Sequence, residues 1–154
     1  MPHPTPDTVF QTAMRRADER ERLMLRLAAD CGRRRGEIAV AHTDDVYEDM
    51  LGWTLIVHGK GGKRRAVPLT SGFATVLRSQ PYGYPFPGDE DRHLSPRWVG
   101  KFITRLLDGD WPIPSLRHRF AARGAPSQPQ PRSCAGLAWA RIAWHDPHLR
   151  CHRR

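Results

Sequence analysis

The sequence predicts a mainly α-helical domain carrying one small antiparallel β-sheet, an α+β arrangement, on three observations. Apolar residues recur at helical spacing in several short segments, and one pair of alternating segments flanks a glycine-rich turn. No apolar run is long enough for a membrane span, and the 154 residues suffice for one domain with a substantial core.

The elements follow in order. Asp7 opens a short helix ending near Arg16. A second helix covers 18–30, with Leu23, Met24 and Leu27 on one side and charges opposite, and Gly32 stops it. A helical turn covers 35–41. Trp53, Leu55 and Val57 alternate with Thr54, Ile56 and His58 as a strand, Gly59, Gly61 and Gly62 make a turn, and 65–69 is the returning strand. Thr70 or Ser71 caps a helix through Phe73, Val76 and Leu77, and 81–88 is a loop broken by proline and glycine. Ser95 caps the next helix with Pro96 at its first position, and Val99, Phe102, Ile103 and Leu106 form its apolar stripe. Ser115 caps a last helix over 116–123.

The composition is strongly basic. Lys and Arg number 25 against 16 Asp and Glu, a net charge of +9, and only Lys60, Lys63 and Lys101 are lysines. Arginine in such excess suits a phosphate-rich partner, because its planar fork matches phosphate oxygens; codon bias in GC-rich DNA also inflates it. Nucleic acid is the leading partner class on charge. Three widely spaced cysteines, an odd number, argue against a disulfide framework and for a reducing compartment. Residues 1–6 have neither a basic n-region nor an apolar core, so no secretory signal is expected.

Composition breaks near Gly124. Residues 125–154 hold five arginines against the single acid Asp146, with no Lys, Glu, Tyr or Phe, and show no sustained period. The expected organisation is therefore a folded domain over 1–124 and an atypical basic tail rich in Pro, Arg and Trp over 125–154. His145, His148, Cys151 and His152 invite a metal reading, but a structural zinc needs a second ligand pair, and only Cys134 lies upstream. No metal is expected.

Three basic clusters remain. They are Cys31-Gly32-Arg33-Arg34-Arg35-Gly36-Glu37-Ile38, the hairpin tip from Val57 to Leu69, and Ser115-Leu116-Arg117-His118-Arg119-Phe120. Any one of them reads most simply as a solvated charged surface. In this order and spacing they resemble the catalytic domain of the tyrosine recombinases, the phage-integrase family, over roughly 5–123.

The resemblance assigns Arg34 the place of a catalytic arginine, with Glu37 three residues on as its supporting acid. Arg33 and Arg35 are rivals separated from it only by that offset. Lys60 takes the place of the hairpin lysine, with Lys63 as its rival, and Arg117 that of the second arginine, with His118 in support. Arg33, Arg35, Lys63, Arg64 and Arg119 are the expected DNA contacts.

The chemistry implied is strand breakage by transesterification, with site-specific recombination or integration of a phage or mobile element as the function. Two guanidiniums hold the non-bridging oxygens of a pentavalent phosphorus, the lysine protonates the departing 5′ oxygen, and a tyrosine attacks. The implied partners are double-stranded DNA and further recombinase protomers on it, in the cytoplasm at the nucleoid, with no metal, cofactor or membrane.

The sequence also departs from the family pattern. Pro114 stands where a histidine is expected three residues before Arg117, and Tyr47, Tyr82 and Tyr84 all precede Arg117, whereas the family's nucleophile follows it. The Leu-Gly-His segment expected beyond that arginine is not found, and the helical domain that precedes the catalytic one in the family is expected to be missing. The tail is thus expected to be a frameshifted or divergent replacement, which reading the other coding frames past codon 124 would check.

Three functions stay open. They are an active strand transferase, a catalytically inactive DNA-binding remnant (a pseudogene-like product), and an unrelated basic nucleic-acid-binding module.

Overall fold

The computed structural model of the chain describes residues 3–89, 92–108 and 111–124. The tail over 125–154, with Cys134, Cys151 and the histidines considered as metal ligands, lies outside the described residues. Elements follow in the order α1 (Asp7–Arg16), α2 (Glu19–Ala29), α3 (Arg35–Ala39), β1 (Val46–Asp49), β2 (Gly52–His58), β3 (Arg64–Leu69), α4 (Ser71–Arg78), α5 (Pro96–Leu106) and α6 (Ile113–Arg123). This is the expected α+β arrangement. No described helix is long and apolar enough to cross a membrane.

α2 is the packing axis. Leu23, Met24, Leu25, Leu27, Ala28 and Ala29 are all buried, so apolar contact covers most of the helix circumference, with α3, α5 and α6 against it and Glu19 and Arg22 on the exposed side. A capping box fixes its start: the Glu21 N–H donates to the Asp18 carboxylate at 2.7 Å, and the Asp18 N–H to the Glu21 carboxylate at 3.1 Å. Glu21 is buried and receives Arg105 from α5, which ties the two helices together.

The sheet has order β1-β2-β3, all antiparallel, so the expected hairpin is β2–β3 and β1 is a strand the alternation pattern did not show. β1 is four residues long and ends in Glu48 and Asp49, poor strand formers, and pairing such as Val46↔Leu55 and Glu48↔Trp53 places it. At the other edge of β2 the register Val57↔Arg65 and His58↔Arg64 runs into a short 3-10 turn over Lys60–Gly62. Gly61 and Gly62 both sit at φ 72, which a side chain would strain, and the Gly59 N–H donates to the Lys63 carbonyl at 2.7 Å to close the turn.

Thr70, not Ser71, caps α4, its hydroxyl accepting from the Phe73 N–H at 3.4 Å. Ser95 and Pro96 open α5 as expected, although the Ser95 side chain makes no cap bond. The last helix starts at Ile113, three residues before the expected position, with Pro112 at the cap. First-turn N–H groups have no partner within a helix, so Pro112 and Pro114 are tolerated there. Ser115 is inside that turn, buried, its hydroxyl donating to the Pro112 carbonyl at 2.7 Å and lying 2.6 Å from the Thr5 hydroxyl. Cys31 is a free thiol in the core, and burial pushes it up to about 12, far from thiolate reactivity at neutral pH.

Candidate functional site

The three basic clusters fold around one groove of about 1410 Å³. Its walls come from α3, the β2–β3 turn, α5 and the start of α6. Arg34, Lys60 and Arg117 all line it, Arg34 from the cap of α3, Lys60 from the turn and Arg117 from the second turn of α6. Arg35, Arg97, Lys101 and Arg105 add four more cations, against the carboxylates of Glu37 and Asp108. The groove is therefore electropositive, and its volume exceeds that of an ordinary small-ligand pocket.

Behind the cations lies a hydrogen-bond network. Arg34 adopts extended backbone at the cap of α3, and its N–H donates to Glu37 Oε2 at 2.9 Å, while its guanidinium lies 3.5 Å from Oε1. The three-residue spacing of arginine and glutamate is thus a helix-start device: the acid at the third helical position satisfies an N–H that the helix cannot. Arg65 of β3 uses one nitrogen twice, donating to Glu37 Oε2 at 3.0 Å and to the Gly32 carbonyl at 3.2 Å. That same carbonyl accepts from Arg117 Nε at 3.0 Å.

Electrostatics follow from this arrangement. Burial alone would raise the Glu37 carboxyl, but the Arg34 N–H, the Arg65 hydrogen bond and the charges of Arg65 and Arg34 outweigh it, so the group lies below its ordinary value. Arg117 is less basic than an ordinary arginine, first through burial and then through the charges of Arg34 and Arg65, with Glu37 opposing. Crowded, partly desolvated guanidiniums gain stability when an anion enters between them.

Glu37 gives a first prediction. Because its folded value lies below the 4.5 of the free group, its ionised form favours the folded state above pH 4.5, and that contribution disappears as pH falls through the lower folded value. Thermal melts across this acid range should show Glu37→Gln less stable than the parent near neutrality, with the difference closing at the acid end. A constant difference at every pH would contradict this.

No family model matches the sequence, and no curated protein matches it. Solved structures do. The integrase of mycobacterium phage Brujita superposes with a TM-score of 0.67 and 28% identity, over 79% of this chain and 44% of that one. XerA recombinase gives a TM-score of 0.64 and 19% identity, over 80% of this chain and 50% of that one. XerH site-specific recombinase bound to its difH substrate gives 0.63 and 20%, over 80% and 42%. The fold is that of the tyrosine recombinases. The chain spans half the length or less of these structures.

Within this tyrosine recombinase fold, the structure brings together Arg34, Lys60, Arg117, Glu37 and Arg35, all of which line the groove. Pro114, at the position where a histidine was expected, lines it too. Other expected residues lie elsewhere. Lys63 and Arg64 are exposed on the hairpin outside the groove lining. His118 is exposed and does not line the groove, since one step along α6 turns it about 100° from Arg117.

Arg33 and Arg119, two of the expected DNA contacts, are buried. Arg33 is fully buried, with NH2 donating to the Ile56 carbonyl at 3.1 Å. Arg119 is 4% exposed, donates to Asp7 and stacks over the Phe10 ring, with its guanidinium carbon 4.6 Å from the centroid. Neither lines the groove. The sequence reading also passed over Arg97, Lys101 and Arg105, whose four-residue period on α5 lies away from the apolar stripe and was the available signal.

Proposed function

We propose that the chain binds double-stranded DNA as the phosphate-gripping part of a site-specific recombination or integration system. The observation that carries this reading is the convergence of Arg34, Lys60 and Arg117 on one electropositive groove of a recombinase fold. Residues 1–124 are then the recombinase-like catalytic domain.

A backbone phosphate seated between Arg34 and Arg117 accepts charge-assisted hydrogen bonds from both guanidiniums. Those bonds strengthen as charge builds on the non-bridging oxygens of a pentavalent phosphorus. Lys60, exposed on a glycine turn, has the reach to protonate the departing 5′ oxygen. Arg35, Arg97 and Lys101 extend the positive surface to flanking phosphates. The attacking hydroxyl is a separate matter. Of the three tyrosines, all upstream of Arg117, only Tyr84 lines the groove, and it comes from the loop after α4. The chain by itself is therefore read as a DNA-binding member of such a system that forms no covalent bond to DNA.

Fluorescence anisotropy with a labelled duplex tests the grip. Arg34→Ala and Arg117→Ala should each weaken binding about tenfold and lower the salt slope by about one phosphate contact. Unchanged affinity and slope in both would remove the phosphate site. Incubation with nicked suicide duplexes tests the second half: salt-sensitive binding without adduct is expected, and a covalent protein–DNA adduct would instead make the chain a strand transferase.

A further inference from the structure

We propose that Arg65 is a positioning residue that locks the two groove arginines and the lysine hairpin into one rigid unit. This rests on the phosphate-site reading above and adds to it the part that holds the site's geometry.

Arg65 touches neither Arg34 nor Arg117 through any bond described above, yet it shares an acceptor with each. Its NH2 reaches Glu37 Oε2 at 3.0 Å, the oxygen that also accepts the Arg34 N–H at 2.9 Å. The same nitrogen reaches the Gly32 carbonyl at 3.2 Å, which also accepts Arg117 Nε at 3.0 Å. The two hydrogens of one guanidinium nitrogen thus serve the acceptor of the α3 arginine and the acceptor of the α6 arginine together. Arg65 is itself part of the hairpin, paired with Val57 across β2 and β3, close to the turn that presents Lys60. The neck of that turn also passes near the same carboxylate, since a Cβ built at Gly59 would lie 3.9 Å from Glu37 Oε1.

The consequence is mechanical. A hairpin that tilts carries Arg65 with it, and both the Glu37 carboxylate and the Gly32 carbonyl lose a donor at once. Glu37 then holds Arg34 less firmly, and Arg117 keeps a carbonyl that has lost its second anchor. DNA that seats the hairpin therefore also aligns the arginine pair. A lysine cannot copy this, because its shorter side chain stops short of the position that NH2 holds between the two acceptors.

The test uses the full chain and Arg65→Lys, which keeps the charge, beside Arg65→Ala. Nitrogen-15 NMR of the free protein follows the Arg117 Nε–H, and carbon-13 NMR follows the Glu37 carboxyl during an acid titration. The expected result is the same in both variants: the Arg117 Nε signal shifts and exchanges faster, and Glu37 titrates higher than in the parent. Duplex affinity falls about tenfold in both, although Arg65→Lys retains the charge.

If Arg65→Lys keeps the parental Arg117 signal and affinity, Arg65 contributes charge alone and the proposal fails. If Arg65→Lys does not fold, judged by circular dichroism, Arg65 is a folding residue and the proposal also fails. The NMR arm is read without DNA. A phosphate-site reading overturned by Arg34→Ala and Arg117→Ala would therefore leave the coupling of Arg65 to Arg117 separately measurable.

Discussion

Gly32→Ala should cost about 2–5 kcal/mol of stability, the sum of a left-handed backbone penalty and a clash in a packed interior. Gly32 is buried at the exit of α2 with φ +60, a conformation that costs an L side chain about 1–2 kcal/mol by itself. Its missing side chain also faces an aromatic ring: a Cβ there would stand 2.6 Å from Phe120 Cδ1 and 3.0 Å from Cε1. Phe120 lies on α6, one turn beyond Arg117, so relieving the clash means moving the helix that brings Arg117 to the groove. Such movement also disturbs the carbonyl that Arg65 and Arg117 share.

Thermal or urea melts measure the loss. Removing the ring separates its two sources: Phe120→Ala in the Gly32→Ala background should recover the steric part and leave the backbone part. A Gly32→Ala protein that melts within about 1 kcal/mol of the parent would mean that α6 does not approach α2 this closely.

Much of this site was legible in the sequence, and the reasons are local. The spacing of Arg34 and Glu37 is visible because a helix start imposes it, the acid returning to the cap N–H three residues back. Lys60 is visible because Gly61 and Gly62 must supply positive φ in a tight turn. Runs of adjacent cations are harder to read. Arg33, Arg34 and Arg35 are indistinguishable by charge, yet the chain's entry into α3 puts the first in the core, the second at the cap and the third on the groove wall.

Arg119 follows Arg117 by two helical positions, about 200° around the axis, and so meets Asp7 and Phe10 instead of the groove. Arg65 escaped notice for a different reason. It sits in a basic run that resembles a solvated turn, and its role comes from Gly32 and Glu37, both about thirty residues away in sequence. β1 was missed because its pairing with β2, not its own pattern, makes it a strand.

Arg33→Met should act in the opposite direction to Gly32→Ala and stabilise the fold by about 1–3 kcal/mol, on the scale seen when buried ions are replaced by apolar side chains of similar size. The Arg33 guanidinium is fully buried, yet among the described residues only its NH2 finds a hydrogen-bond partner, the Ile56 carbonyl, while Nε and NH1 have none. Burial lowers its basicity, and the charges of Asp45, Cys31 and Glu37 offset this only in part.

Removing one member of a buried ion pair is normally destabilising, because the abandoned charge stays behind. That penalty is small here, because the Asp45 carboxylate lies 2.6 Å from His58 Nε2 and accepts the His42 N–H at 3.2 Å. Glu37 likewise keeps Arg34 and Arg65. The Ile56 carbonyl loses its side-chain donor, a cost of about 1 kcal/mol, and relief of the buried charge exceeds it. Methionine fills the space because its unbranched, flexible chain adapts to an irregular core.

The melting temperature should therefore rise by about 2–4 °C per kcal/mol gained, and duplex affinity should not change. The paired measurement also decides between neighbouring arginines. If Arg33→Met lowers DNA affinity as Arg34→Ala does, the guanidinium that meets the phosphate is Arg33, and the buried position described for it is wrong.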